Sequence, residues 1–202
     1  AAFSDALRAA QQAGFAEADP PLDITGGDAG HKLAILAGLA FGARVSPEEI
    51  PTEGLDSVDP RDIRYARKFG YAIRPLAIAE RVADEALDLR VHPALVPAGH
   101  PLAHVEGALN AVAIESAMVG PSFLSGPGAG AGPTATSVAG DIMDIAKNAL
   151  ASAPVRTRSL AANGALTIQP IQDLRSRYYL RFSVRDQSGV LAALSGALGD
   201  AG

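Results

Sequence analysis

Sixteen residues, Glu17 to Lys32, carry four carboxylates and a lysine and run directly into an apolar stretch. The acids are Glu17, Asp19, Asp23 and Asp28. Charge at this density ahead of a buried helix is costly unless the groups pair with one another or with a ligand. Asp28 and Lys32 stand four apart, which on a helix sets them on one face. A lysine whose pKa is tuned by its neighbours can pass a proton to and from a carbonyl oxygen, and an acid one turn earlier can orient its ammonium or a water. Glu17 and Asp23 are suited to a substrate amino group through charge-assisted hydrogen bonds. The plainer alternatives are a surface i,i+4 salt bridge for Asp28 and Lys32, worth about 0.3 kcal/mol, and solvated or capping loop acids for the other two. Asp19, before Pro20, reads as a turn residue.

A second group lies at Gly126, Gly128, Gly130 and Gly132, ahead of Thr134, Thr136 and Ser137. Glycine admits close approach of backbone to a ligand, and a helix start favours anions. The run is not the Rossmann fingerprint, which needs a short strand before it and a ribose-binding acid after it; a tight strand-to-helix turn is the plain alternative. His100, His104 and Glu106 have the residue types of a metal site, but Pro101 interrupts them and no second cluster follows, so no metal is expected. His31, beside Lys32, is left without a role.

These residues need elements to hold them. Ser4-Asp5 can cap a helix ending at Gly14. Phe15 to Gly27 reads as a loop. The next helix starts near Asp28, stops at Gly42 and, being apolar on most sides through Leu33, Ile35, Leu36, Leu39 and Ala40, is expected to be deeply buried. Asp59-Pro60 starts another helix, ending at Gly70. Strands follow at Tyr71 to Glu80, Ala86 to Val96, Asn110 to Ser116 and Pro121 to Ser125, with short connections. A helix from Thr134 to Leu150, a linker from Ala151 to Ser176, a strand from Arg177 to Val184 and a helix from Gly189 complete the pattern. The expected fold is α/β of the α+β type: a mixed, largely antiparallel sheet with helices on one face, then a βα unit.

The 202 residues can bury one sizeable core. Hydrophobic residues make up 48% and exclude a disordered chain. The net charge of -5 argues against nucleic-acid or polybasic membrane partners. The absence of cysteine rules out disulfides, thiolate metal sites and a cysteine nucleophile, and fits the cytoplasm. No apolar run is of membrane-spanning length and no signal peptide is seen. A first residue other than methionine and a stop at Gly202 inside an element read as a piece of a longer chain.

The spacing Glu17, Asp19-Pro20, Asp23, Gly26-Gly27-Asp28, Lys32 resembles the homoserine dehydrogenase family in its substrate-binding and catalytic domain. The likeness continues through Asp62-Ile63, Leu76-Ala77, Val91-His92-Pro93, His100-Pro101-Leu102-Ala103, Asn110-Ala111-Val112, Val119-Gly120-Pro121 and Gly126 to Gly130. It spans residues 1–150 and comprises many motifs in order. The resemblance implies that Lys32 is the catalytic lysine, with Asp28 working beside it, that Glu17 and Asp23 hold the amino group and hydroxyl of the substrate, and that Gly130, Gly128 and Gly126 meet the nicotinamide end of the cofactor. The implied reaction interconverts L-homoserine and L-aspartate 4-semialdehyde with NAD or NADP, on the way to threonine, methionine and isoleucine. The cofactor would be bound mainly by a Rossmann domain N-terminal to Ala1, which would also bring a further substrate-contacting lysine and a monovalent-cation site; without it the 202 residues are expected not to turn over.

Tyr178 to Val184 followed by Asp186-Gln-Ser-Gly-Val-Leu191 resembles the opening of an ACT regulatory domain, implying an amino-acid effector site with threonine as the effector. The expected domains are therefore residues 1–150 (catalytic), 151–176 (linker) and 177–202 (ACT-like), in a homo-oligomer, most simply a dimer. Two alternatives stand beside this reading: a non-catalytic amino-acid-binding module that keeps the fold, and the same domain within a bifunctional enzyme fused to an aspartate kinase. The ACT-like segment after the catalytic domain argues against the second.

Overall fold

The computed structural model describes residues 3–12, 21–128, 130–150 and 166–201. Its centre is an antiparallel pair, β1 (Tyr71–Ala83) and β2 (Ala86–Pro97), joined by a turn at Asp84-Glu85 and in register from Tyr71 opposite Pro97 to Ala83 opposite Ala86, with one irregularity between Arg81 and Ala83. Period-2 alternation along β2 gives the pair two faces. Leu87, Leu89 and Val91 point one way and are buried; Asp88, Arg90 and His92 alternate with them.

Helix α3 (Gly27–Phe41) closes the apolar face. Gly30, Leu33, Ala34, Ala37 and Gly38 recur at the helical period and form its buried side, and Leu33, Ala34 and Ala37 join Leu87, Leu89, Val91, Ala43 and Ile50 in the core. Small residues at four of the five buried helix positions let the backbone lie close to the sheet. Gly42, at φ 70, ends the helix, its N–H donating to the Gly38 carbonyl. The other side of α3 departs from the expectation of deep burial: Ile35 is 62% and Leu39 69% exposed. A two-stranded sheet offers one helix one contact face, so a helix apolar all round keeps its second stripe outside.

Before α3, the expected loop holds a short helix, α2 (Pro21–Thr25). Helix α1 (Phe3–Gln12) forms where the first helix is expected, and its expected end at Gly14 lies outside the described residues. Helix α4 (Pro60–Lys68) begins as expected: Asp59 accepts from the Arg61 N–H, and the Asp62 carboxylate accepts from the Asp59 N–H at 3.1 Å, a reciprocal cap.

Strands β3 (Leu109–Ser116) and β4 (Gly120–Pro127) pair with each other, Leu109 opposite Pro127 and Ser116 opposite Gly120, and not with β1 or β2. The expected single sheet is thus two. The proline-led turn at 101–104 and Gly107, at φ 63, redirect the chain between them. Helix α5 (Ala131–Leu150) follows, with no buried residue. The expected linker contains a two-residue strand, β5 (Thr167–Ile168), parallel to β2, with the Thr167 N–H donating to Glu85 at 2.9 Å and the Gln169 N–H to Leu87 at 2.8 Å. The mix of one parallel and two antiparallel pairings is the expected mixed, largely antiparallel α/β character. The expected strand from Arg177 to Val184 is not formed: the segment pairs with no strand among the described residues, and a strand without a partner has no ladder. Helix α6 (Val190–Ala201) begins after Gly189, as expected.

Candidate active site

The first turn of α3 brings Asp28 and Lys32 together. Lys32 Nζ donates to Asp28 Oδ2 at 2.6 Å. Asp28 stands in the first helical turn, where the helix dipole favours a negative charge. Gly26, at φ 83, takes the left-handed backbone from which the helix departs, and its carbonyl accepts from the Gly30 N–H at 3.0 Å. Both charged side chains are partly open, 66% for Lys32 and 45% for Asp28, so the pair adds little to stability by itself.

What sets it apart is its company. Lys32, Ile35, Leu36 and Leu39 follow the i, i+3, i+4, i+7 spacing and share a stripe, and Ile35, Leu36 and Leu39 are all exposed. The stripe lies away from the buried positions on the sheet side. A solvated helix face is ordinarily polar; this one is apolar with a single proton-bearing group at its start. A charge pair at the rim of an apolar surface is poised to be dried and strengthened when that surface is covered.

Asp23 falls on α2, just before α3 in the chain, and Glu17 and Asp19 lie outside the described residues. The glycine run sits in the other sheet's territory, from the end of β4 to the start of α5. Gly126 pairs with Asn110 across the hairpin and has open space where a Cβ would be. Gly128 does not: a Cβ there would overlap the Asn110 side-chain amide, and the Gly128 N–H donates to the Ala108 carbonyl at 3.1 Å. Gly128 therefore serves a close approach within the protein. Gly130 is at φ 111, and its carbonyl accepts from the Thr134 N–H at 3.2 Å as α5 begins. Helix α3 packs on β1 and β2, whereas β3 and β4 pack chiefly on each other, so the proton pair and the glycine run are carried by different halves of the molecule.

His92, His100 and His104 have structural partners. The His100 ring accepts from the Leu102 N–H at 3.2 Å, His104 Nε2 donates to the Ala98 carbonyl at 2.8 Å, and His92 takes a hydrogen bond from Arg90 Nε at 3.2 Å while its Nδ1 donates to the Pro93 carbonyl at 2.9 Å. No group of metal-ligating side chains occurs among the described residues.

A second charged centre has no local signal in the sequence. Opposite the core, Asp88 and Arg90 form a buried ion pair. They sit beside a cleft of about 860 Å³ that includes Arg90 and His92 of β2, Asp62 of α4 and Tyr178, Tyr179 and Arg181 of the C-terminal segment. Asp62 is the knot. Arg181 Nε donates to its Oδ1 at 2.6 Å, Arg181 Nη2 to its Oδ2 at 3.2 Å, and the Tyr179 hydroxyl to Oδ1 at 2.9 Å. The Arg181 hydrogen bond, with that of Tyr179, holds the Asp62 carboxyl below the ordinary value of 3.8 against the opposing effect of burial. The cap spacing of Asp59 and Asp62 could be read in the sequence; a partner more than a hundred residues away could not.

Because the folded Asp62 titrates lower than the unfolded one, its contribution to stability is complete above pH 3.8 and is lost as the pH falls through the lowered value. Asp62→Asn is therefore expected to flatten the loss of stability on acidification below about pH 4, and at neutral pH to speed tryptic cleavage at Arg177 and Arg181. Acid and tryptic profiles identical to wild type would remove Asp62 from this role.

The comparisons with known proteins place the chain in a family of dehydrogenases. It belongs to the homoserine dehydrogenase family: the family model described as homoserine dehydrogenase matches residues 1–143. Homoserine dehydrogenases of Neisseria gonorrhoeae and of a Synechocystis species are each 43% identical to it, over 98% and 99% of this chain and 46% and 48% of their own length. The solved homoserine dehydrogenase of Thiobacillus denitrificans is 38% identical and superimposes with a TM-score of 0.86 over 99% of this chain and 47% of that one. A hyperthermophilic archaeal homoserine dehydrogenase mutant solved in complex with NADPH is 29% identical, with a TM-score of 0.57 over 76% of this chain. The chain spans about half the length of the curated relatives it matches. Among the described residues no helix is long and apolar enough to cross a membrane.

Proposed function

We propose that this chain is the substrate-binding and catalytic portion, residues 1–150, of a homoserine dehydrogenase that interconverts L-homoserine and L-aspartate 4-semialdehyde, followed by an ACT-like opening at residues 177–202. The observation that carries the reading is the Asp28–Lys32 contact of 2.6 Å at the head of an exposed apolar stripe. In the reductive direction the Lys32 ammonium gives a proton to the aldehyde oxygen as it becomes an alkoxide, and in the oxidative direction Lys32 takes the hydroxyl proton back. Asp28 holds the lysine nitrogen in place and offsets its charge. Glu17 and Asp23 take the ammonium and hydroxyl of the substrate.

NAD or NADP, when bound, supplies or accepts the hydride. The open space at Gly126 and the left-handed Gly130 fit contact with one edge of a flat ring, whereas Gly128 is filled by Asn110. The described residues contain no strand–GxGxxG–helix unit to hold the dinucleotide, so most of it falls to a nucleotide-binding domain preceding these residues. Threonine at the ACT-like segment, association into dimers and a cytoplasmic setting complete the proposal.

The intact enzyme carrying this chain is expected to reduce NAD or NADP in the presence of L-homoserine, and the 202 residues alone to show no turnover. Failure of the intact enzyme to use L-homoserine overturns the activity; turnover by the 202 residues at the intact rate overturns the division of labour.

A further inference from the structure

Residues 51–54 are pinned to the sheet. The Glu53 N–H donates to the Val91 carbonyl at 2.8 Å, and the Val91 N–H to the Pro51 carbonyl at 2.9 Å, making Thr52 an isolated parallel bridge to β2. The Thr52 hydroxyl is tied to the Ile50 carbonyl at 3.0 Å. The segment therefore lies along the edge of β2, hydrogen-bonded on both sides of Val91, which is 2% exposed within the core.

The α2–α3 turn rests on this segment with almost no side chain between them. A Cβ built on Gly54 would lie 2.5 Å from the Ile24 carbonyl oxygen and 2.9 Å from the Thr25 Cα. Both are backbone atoms, which cannot swing aside. The Gly54 backbone, φ -83 and ψ 177, is open to any residue, so contact and not conformation excludes a side chain there. On the other side of the seat, a Cβ on Gly26 would meet Thr52 Cγ2 at 3.0 Å and Val91 Cγ1 at 3.1 Å, and one on Gly30 would meet Thr52 Oγ1 at 3.6 Å. Ile24 and Thr25 follow Asp23, and Gly26 and Gly30 bracket Asp28.

We propose that Gly54 and Thr52 are positioning residues for the reaction: the 52–54 segment is a rigid seat, registered on β2, that fixes Asp23 and the Asp28–Lys32 pair relative to one another and to the substrate. The proposal rests on the reading of Asp28 and Lys32 as the proton-handling pair. Its physical content is that a substrate held by one short helix and protonated from the next requires the end of α2 and the start of α3 to share one reference, and the glycine contact supplies it.

In the intact enzyme, Gly54→Ala must push residues 24–25 away from the seat. It is expected to lower kcat/KM for L-homoserine by about 10²-fold, the scale of a displacement near 1 Å, with KM for the nicotinamide cofactor unchanged. Thr52→Ala, which empties the space under Gly26 and Gly30 without a clash, is expected to lower kcat/KM for L-homoserine roughly fivefold and to speed hydrogen exchange at the Gly30 amide. Gly99→Ala is the control, since a Cβ there meets nothing within 4 Å.

A merely structural role would lower the melting temperature and leave kcat/KM per folded enzyme at the control value; that result for Gly54→Ala overturns the proposal. If Gly54→Ala does not fold, Thr52→Ala decides, and unchanged kcat/KM with unchanged Gly30 exchange overturns it. Full activity in Lys32→Ala would instead strike the reading of the proton pair, and Gly30 exchange in Thr52→Ala would still judge the seat.

Discussion

Lys32→Ala in the intact enzyme is expected to lower kcat by about 10²–10⁴-fold, the range that one positioned proton donor contributes. KM for the nicotinamide cofactor should change little, because Lys32 is proposed to act on the substrate oxygen. Steady-state kinetics in both directions check this. A 2.6 Å contact to a carboxylate fixes the nitrogen, the stripe of Ile35, Leu36 and Leu39 beyond it would dry the pair once covered, and the ammonium carries a proton that a carbonyl oxygen can accept. Lys32→Arg should not restore the rate, since guanidinium does not surrender its proton. A kcat within threefold of wild type in Lys32→Ala would favour the non-catalytic amino-acid-binding module instead.

The largest expected loss of stability comes from the opposite side of the same helix. Leu89 is 1% exposed and lies in the cluster that joins β2 to α3, with Leu33, Ala37, Leu87 and Val91. Leu89→Ala removes buried surface and leaves a cavity walled by a β-strand and by small helix residues, Ala34 and Ala37, whose side chains cannot reach into it. The expected cost is about 3 kcal/mol, read as a lower urea midpoint at unchanged slope. A cost below about 1 kcal/mol would mean that this core collapses around the gap. The substitution also bears on catalysis, because the sheet under Leu89 is the support on which the Asp28–Lys32 turn rests.

The contrast between these two residues shows what the sequence made legible. Local signals carried far. The Asp59-Pro60 cap, the Gly42 stop and the turn at Asp84-Glu85 follow from residue types a few positions apart, and each element stands where those types put it. The i,i+4 spacing of Asp28 and Lys32 was enough to foresee their contact. What failed depends on distant partners. The apolar content of α3 predicted burial, but whether Leu39 is covered depends on a surface, not on Leu39. The β-like residues from Arg177 to Val184 predicted a strand, but a strand exists only beside another. Two residues carry no period, so Thr167-Ile168 falls within the expected linker, yet β2 has an open edge for them. The Gly54 contact was invisible for a related reason: a glycine in a sequence says that a side chain is missing, not which backbone has taken its place.

Helix α5 buries none of its described side chains, and the β3–β4 hairpin beside it is paired only internally. A lone hairpin and a lone helix are each marginal in water. The cooperative unit of this chain is therefore the stretch that closes through α3, β1, β2 and β5, while residues 109–150 hold their shape on loan, through contacts of short sequence separation. Opening of that half costs the core little. In these 202 residues taken by themselves, the glycine edge proposed to meet the nicotinamide ring is thus carried on the part with the fewest contacts to the core, and the proton pair on the helix that packs against it.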